Sequence, residues 1–502
     1  DDKGKFKIKV TSYEATLTVS ADGYQTKYVA LQGQKEVVIY LIDENASSHH
    51  DNAQLTFGAK PQTQTTNALA SVSINGAWNR PGESPDAYLQ GKVAGLSVNM
   101  RSGTPNAGGF MLLRGMNSLY TNNQPLIIVD GMLFDYNDYG NSLLNNHYTN
   151  ALAGIDVRDI DNVTVIKDGT STYGTKGANG VILITTSRAN KLATKIDFAA
   201  YVGINFRPKG LPVMEANDYR TYLSDVLKTS GMSDLQIQAH PAFNDNTSNS
   251  LYYSHHNNTN WQDQVLSNSV TNNYYLKITG GDNIAKYALT MGYAKNGAVT
   301  KKTDATKYNV RFNADLNLSR KLTASTNLTY NYYEQKLKNQ GLDYKTNPLL
   351  LALIKAPILA TNAIDAKGVV SPNLADRDTF NVSNPVAIIE NMIGLTKVYR
   401  FFGSISLKYA FNKYLSLNTL AGITTDKVRE QSFIPAKGVT TDTLTNAIAN
   451  NRMASQTKRI FSIYNDTYYE YNRLFNRKHQ LNARAGLRFL NSSNEQDIVY
   501  GY

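Results

Sequence analysis

The sequence predicts a mainly β chain, most of it an antiparallel transmembrane β-barrel, and three observations carry that reading. Long segments after residue 194 alternate apolar and polar side chains with a period of two. Their connections alternate between tight turns and long excursions. No apolar run reaches the roughly eighteen residues of a transmembrane helix, whereas barrel strands hide their lipid-facing residues in alternation. With 502 residues the chain is too long for one compact core, so several domains are expected.

Composition narrows the class. Apolar residues make up 41% and charged residues 18%, which excludes a disordered chain. Tyrosine, at 33 against 2 tryptophans, suits a membrane–water interface, although a tyrosine-rich soluble β-protein fits that count equally well. The absence of cysteine excludes disulfides and thiolate metal sites. A net charge of +11 fits anionic lipid headgroups or an anionic substrate better than nucleic acid, because no basic stripe with interleaved aromatics occurs.

Residues 1–45 read as short strands. Phe6, Ile8 and Val10 share one face, residues 15–20 and 36–41 follow, and Ala21-Asp22-Gly23 forms a turn. These make part of a β-sandwich. The opening Asp1-Asp2-Lys3-Gly4 reads as a turn feeding a strand, so upstream residues are expected. Residues 46–65 are polar and read as a linker, in which His49-His50 is solvated rather than metal-binding.

Residues 66–191 have a mixed α and β texture. A helix is predicted over residues 85–93 with Ser84 as its cap. Glycine-rich turns separate apolar strands at 110–113, 126–129, 163–166 and 181–185. The stretch from Gly174 to Gly180 superficially resembles a phosphate loop. It fails the required spacing and precedes a strand, so it reads as a turn.

Residues 192–502 carry the barrel pattern. Tyr308, Val310, Phe312, Ala314, Leu316 and Leu318 line one face, and Asn309, Arg311, Asn313, Asp315 and Asn317 the other. The same alternation starts at Ile196, Tyr274, Tyr287, Leu322, Tyr399 and Leu481, and runs less strictly over 415–423 and 458–471. Tight turns are predicted at 280–283, Arg320-Lys321, Asn412-Lys413 and Asn476-Arg477, with excursions over 207–272, 334–397 and 426–457. Slipping the register by one residue would aim Arg311 at lipid at a cost of about 2–4 kcal/mol, so the dry face must point outward. About nine strands are counted; single-chain bacterial barrels are normally even-numbered and closed, so the wall is expected to continue past Tyr502 or to pair with another chain.

At this point the residues become recognisable. Tyr88-Leu89-Gln90-Gly91-Lys92-Val93-Ala94-Gly95-Leu96, Leu113-Arg114-Gly115 and Gln124 to Gly131 resemble the plug of the SusC/RagA (starch-utilisation-type) TonB-dependent outer-membrane transporters. So do Val165-Ile166-Lys167-Asp168-Gly169, Tyr173-Gly174 and Gly177-Ala178-Asn179-Gly180 through Thr186. Residues 4–24 resemble the end of the carboxypeptidase-regulatory-like sandwich that precedes such plugs, and Asn260-Trp261 and Thr279-Gly280-Gly281 resemble the family's first barrel strands. The resemblance implies a barrel of about 22 strands occluded by an α+β plug. It also implies a TonB box, matched by Leu55, Thr56, Phe57 and Gly58, which departs from the family's valine-rich consensus; a plain linker is the competing reading.

The implied function is TonB-dependent import of an oligosaccharide, or alternatively an oligopeptide, across the outer membrane of a Bacteroidota-like Gram-negative bacterium. The implied partners are a SusD-like surface lipoprotein lid, TonB with its inner-membrane energising complex, and outer-membrane lipid. A metal-chelate receptor is disfavoured by the plug motifs, and an adhesin or passive pore has no use for a plug with its own box. Arg114, Gly115, Asp130, Gly131, Lys167, Asp168, Tyr173, Gly174, Gly177, Asn179 and Gly180 are expected to shape the plug, with Arg114 and Asp168 holding it by charge-assisted hydrogen bonds. Asp130-Gly131 reads as a turn. Tyr120, Tyr136, Tyr139, Tyr252, Tyr253 and Trp261 are candidate stacking platforms for substrate, with loop packing as the alternative for each and family-wide packing favoured for Trp261. His255-His256 reads as solvated. No catalytic constellation, metal site or cofactor is expected.

Overall fold

The computed structural model describes residues 5–10, 12, 15–21, 24–31, 33–41, 52–55, 58–61, 65–74, 84–134, 142–148, 150–189, 192–445, 447–475 and 479–502. Asp1-Asp2-Lys3-Gly4, Asp22-Gly23, His49-His50, Thr56, Phe57, Tyr136, Tyr139 and Asn476-Arg477 lie outside the described residues.

Among its described residues the N-terminal segment holds one hairpin, β1 (Thr16–Ala21) with β2 (Tyr24–Ala30). Residues 5–10 and 36–41, expected as strands, form none. Their alternation is real, but among the described residues no second layer covers it: Ile8 is 60% exposed and Val38 80%. The predicted linker contains a second hairpin, β3 (Asn52–Leu55) with β4 (Gly58–Pro61). It is docked because Ala53 is fully buried and Leu55 packs on Ile128, Ile166, Val181 and Leu183.

The plug follows. Strand β5 (Leu69–Ser73) leads into α1 (Pro85–Tyr88) and the hairpin β6 (Leu96–Met100) and β7 (Gly109–Leu113). Then come β8 (Leu126–Val129), β9 (Met132–Leu133), β10 (Ile160–Ile166), α2 (Thr170–Tyr173) and β11 (Val181–Thr186). One five-stranded sheet has the order β5-β10-β11-β8-β9, and only β11 with β8 is parallel. Helix α1 is shorter than predicted: it stops at Tyr88, before Gly91 adopts a left-handed φ of 73°. Ser84 stands at its N-cap without a side-chain cap bond.

The wall is a nine-stranded antiparallel sheet. It begins with β12 (Lys195–Asn205), then a loop carrying α3 (Ala216–Thr229), α4 (Asp234–Ala239), α5 (Tyr252–His255) and α6 (Trp261–Val265). Strands β13 (Ser269–Gly281), β14 (Ala285–Gly297), β15 (Asp304–Asn317) and β16 (Leu322–Lys336) come next. A second loop holds α7 (Pro348–Ile354), the hairpin β17 (Asn362–Ile364) and β18 (Val370–Leu374), and α8 (Pro385–Asn391). Then follow β19 (Ile393–Ala410), β20 (Leu415–Ile434), the loop hairpin β21 (Asp442–Thr443) and β22 (Ile448–Ala449), β23 (Arg452–Phe475) and β24 (His479–Gly501). Each wall strand pairs with its sequence neighbour in the sheet. The strands outrun their predicted ends, so the excursions are shorter than expected, and the β14–β15 connection is short although it lies at the long-loop end.

The burial of the two faces is inverted relative to a soluble protein. In β15, Tyr308, Val310 and Phe312 are 47%, 42% and 37% exposed, whereas Asn309, Arg311 and Asn313 are 3%, 3% and 1% exposed. The polar face is buried because the plug sits against it. The main apolar cluster joins Leu89, Met111 and Ile127 of the plug to Tyr333, Val398, Phe402 and Tyr464 of the wall. On the outside, Tyr274, Tyr293, Tyr308, Tyr332 and Tyr399 are directly paired across five strands, with ring centroids 6.1, 5.0, 6.0 and 4.9 Å apart. A second aromatic row, Tyr409, Phe411 and Tyr469, lies at the tight-turn end. Two aromatic rows bounding an apolar band are what a membrane-spanning barrel wall presents to lipid.

Candidate functional site

The sequence builds the plug around backbone positions only glycine can fill. Gly180 has φ +84°, and a Cβ there would lie 2.2 Å from Leu113 Cδ2. At Gly177 a Cβ would meet the Gly169 carbonyl oxygen at 2.6 Å, so the two loops on either side of α2 close directly on each other. Arg114 Nη1 lies 2.5 Å from Asp168 Oδ1, with both side chains half exposed, and Arg114 also donates to the Lys167 carbonyl. Asn179 donates to the Asn122 carbonyl at 2.6 Å and accepts from Asn117 at 3.2 Å. Asp130 does more than turn the chain: its carboxylate accepts from Thr186 N at 2.9 Å and Thr186 Oγ1 at 2.7 Å. Gly115, Gly131 and Gly174 take left-handed φ values beside these groups, and Tyr173 lies under the Arg488 guanidinium of β24.

The seam between plug and wall is charged, buried and missed by sequence reasoning. Asp156 caps a single helical turn, Val157–Asp159, and its carboxylate takes a two-pronged bond from Arg158, at 2.9 Å from Nε and 2.7 Å from Nη2. Arg158 Nη2 then donates to Asn273 of β13 at 2.5 Å, and its guanidinium stacks 4.4 Å from the Tyr275 ring. Tyr275 Oη donates to Asp159 Oδ1 at 2.7 Å, and Asn309 donates to Asp159 Oδ2 at 3.3 Å. Arg311 lies 3.7 Å from Asp159 and 3.6 Å from Asp130. Burial raises the Asp156 carboxyl, but Arg158 foremost, with Lys307, outweighs it and holds it below the usual range. For Asp159 burial prevails over Arg311, and its carboxyl is pushed up. The available signal was the wet face of the alternation together with the run Asp156-Val157-Arg158-Asp159.

Further bonds extend the seam along the lumen. Arg188, just past β11, pairs with Asp315 at 2.5 Å and bonds Asn327. Asn313 donates to Thr186 Oγ1 at 2.8 Å and the Ser187 carbonyl at 2.9 Å. Towards the long loops, Glu430 accepts from Ser142 and Leu143 at 2.8 Å, and His147 Nε2 lies 2.8 Å from the Lys338 carbonyl oxygen. At the tight-turn end a cavity of ≈ 530 Å³ opens between Leu55 and Gly58 of the β3–β4 hairpin, the Asp130-Gly131 turn, and Asp315 and Asn418 of the wall.

Among the described residues, the aromatic candidates share no common surface beyond the sequence neighbours Tyr252 and Tyr253. Trp261 is 2% exposed, donates to the Ala356 carbonyl at 3.0 Å and packs with Val265, Ala352 and Ile389, so it is a loop anchor and not a stacking platform. Tyr252 and Tyr253 pack edge-on at 5.2 Å, and Tyr252 also stacks on His256 at 4.1 Å. His255 and His256 are hydrogen-bonded at the end of α5, and His256 meets Asp245 at 3.0 Å, so the pair is not simply solvated. Tyr120 is 97% exposed on the β7–β8 loop and makes no ring contact among the described residues.

Residues 61–181 match the TonB-dependent Receptor Plug Domain. The chain is 25% identical over 341 residues to the TonB-dependent receptor SusC of Bacteroides thetaiotaomicron, covering 67% of this chain and 30% of that protein. It is 24% identical over 495 residues to the TonB-dependent receptor P39 of Formosa agariphila, covering 97% of this chain and 43% of that one. The chain thus spans less than half the length of these relatives. Its fold is that of the RagAB peptide importer in the closed-closed state, with a TM-score of 0.69 at 20% identity, over 87% of this chain and 49% of the other. The ferric citrate transporter FecA shares the fold more distantly, with a TM-score of 0.51 at 12% identity over 87% and 49% of the two chains.

Proposed function

We propose that this chain, which is of the SusC/RagA type of TonB-dependent receptor, is the plug and part of the wall of an importer that draws a nutrient across the outer membrane. The observation that carries the reading is the inverted wall: polar side chains buried against a plug, apolar ones exposed between two aromatic rows. A passive pore needs an open lumen, whereas here the lumen face is filled and bonded. Transport therefore needs work done on the plug.

The β3–β4 hairpin lies where that work is best applied. Its cavity is bounded by wall residues near the tight turns, the end that bacterial barrels place in the periplasm. A hairpin this short offers backbone groups for strand addition once it leaves the plug sheet, which is how TonB would pair with Leu55 to Gly58. The substrate is an oligosaccharide in the first instance and an oligopeptide in the second, captured under a SusD-like lipoprotein lid over the long loops. The plug motifs of the starch-utilisation type favour the first class, and the structural likeness to the RagAB peptide importer supports the second. Deleting residues 55–58 in cells tests the reading. Uptake should be lost while the protein still reaches the outer membrane; unchanged uptake would overturn it.

A further inference from the structure

The outer face of the wall carries two cations that no group among the described residues neutralises. Along β20 the odd-numbered residues face outward: Leu417, Thr419, Ala421, Ile423 and Thr425, then Lys427 and Arg429. The even-numbered residues Leu420, Gly422 and Glu430 meet the plug. On the neighbouring strands, cations at this level have anions: Lys397 bonds Glu334 at 3.2 Å, and Arg459 lies 3.5 Å from both Glu495 and Asp497. The side chains of Lys427 and Arg429 make no ion pair or hydrogen bond among the described residues. Their strand is flanked by β19 and β23, so this surface is wall and not sheet edge.

Depth and shape say what should cover them. Lys427 stands directly opposite Tyr399, the last ring of the tyrosine row, and Arg429 opposite Lys397, one row further out. Twelve residue steps of about 3.4 Å, tilted by about 40°, raise Lys427 about 31 Å above Leu415. That is just past an apolar band about 25 Å tall, at the long-loop end, which places both cations among outer-leaflet headgroups. A hollow of ≈ 500 Å³ opens there, lined by Tyr330, Tyr399, Phe401, Thr425, Lys427 and Arg429. It is aromatic below and cationic above.

We propose that this hollow binds a phosphorylated lipid of the outer leaflet, with its phosphate between Lys427 and Arg429 and an acyl chain along Phe401 and Tyr330. A phosphate supplies the charge the two side chains lack, and arginine can grip it with two parallel bonds. The inference rests on the wall being membrane-embedded, as proposed above, but not on what is transported or on the TonB box.

The test is native mass spectrometry of the protein extracted from outer membranes in mild detergent, incubated with bisphosphorylated lipid A or with the same lipid stripped of phosphate. One phosphorylated lipid should stay bound and the stripped one should not. In the Lys427→Gln/Arg429→Gln variant, retention should weaken about thirty-fold, each surface cation contributing about fivefold. Both side chains are at the surface, and heat-modifiable gel migration checks that the variant barrel is folded. Equal retention by the variant, equal retention of the stripped lipid, no retention by the wild type, or displacement by inorganic phosphate at equal concentration would each overturn the proposal. Uptake that survives deletion of residues 55–58 would sink the importer mechanism and leave this result standing.

Discussion

Tyr275 of the wall and Asp159 of the plug meet at 2.7 Å, each with almost no exposed surface, and their bond ties the two domains through residues 116 apart in the chain. Around it Asp156, Arg158, Asn273, Asn309 and Arg311 form one buried polar network that crosses the domain boundary. Such a network is strong only while complete, because a low-dielectric site magnifies both a made bond and a lost one.

The first prediction concerns the Asp156–Arg158 pair within it. Arg158→Met leaves the Asp156 carboxylate buried without its main cation, and breaking a buried pair this way costs about 3–5 kcal/mol. The plug should unfold, or become protease-sensitive, at clearly lower urea than the wild type. Adding Asp156→Asn should recover most of the loss, since removing both partners is nearly neutral. A double variant no more stable than the single one would show that Arg158 acts through its wall partners Asn273 and Tyr275 and not through Asp156.

The wall was legible in the sequence because lipid and lumen impose a period of two that no local propensity can imitate. Asn309, Arg311 and Asn313 were assigned to the lumen face and are buried there. What they touch was not legible, since pairing Arg311 with Asp159 or Tyr275 with Asp159 depends on how the plug is seated. Strand ends were underestimated for a related reason: β23 and β24 continue past the apolar band, where both faces become polar and the alternation fades. Leu55 was legible as an apolar position, but its docking on Ile128 and Val181 was not, because burial under a sheet leaves no periodicity in a four-residue strand. Trp261 shows the opposite failure: an aromatic residue in a long loop reads as a binding platform until its partners Val265 and Ala352 are placed.

A second prediction concerns pH. Lys338, at the base of the long loop after β16, is buried, and its Nζ donates to the Met392 carbonyl at 2.5 Å. Burial foremost, helped by the charge of Lys302, lowers its pKa from 10.5 to about 8. The folded state therefore holds fewer protons than the unfolded one between those values, so stability rises with pH across that window. The full effect is about 3 kcal/mol, absent below pH 8 and complete above 10.5. Amide protection of the surrounding loop should increase from pH 8 to 10 in the wild type and stay flat in Lys338→Met. A rise that persists in the variant would assign the titration elsewhere.

A third prediction separates two plug glycines that share a left-handed backbone. Gly115→Ala meets nothing within 4 Å and should cost about 1–2 kcal/mol of backbone strain. Gly180→Ala adds a collision with buried Leu113 and a 3.1 Å approach to the Ile166 carbonyl, for about 2–4 kcal/mol in all. Folded yield in membranes should fall for Gly180→Ala well below that of Gly115→Ala. Equal yields would mean that Leu113 moves aside freely.

The last prediction bears on how the β3–β4 hairpin is held. Ala53 has no exposed surface, and the hairpin depends on it and on Leu55 to grip the plug sheet. Ala53→Glu places an unpaired carboxylate in that contact, at a cost of at least about 2 kcal/mol. That exceeds what a four-residue pairing can supply, so the hairpin should detach while the rest of the plug stays folded. Limited proteolysis should then cut within residues 52–61 roughly 30-fold faster, in proportion to the open population. Ala53→Gly, which removes one methyl group worth about 0.8 kcal/mol, should give a small increase in the same direction. If detachment is the step that presents the segment to TonB, Ala53→Glu should also bind a TonB C-terminal fragment without added substrate. Faster cleavage without that binding would separate the docking of the hairpin from its recognition, and would move the TonB-pairing segment away from Leu55 and Gly58.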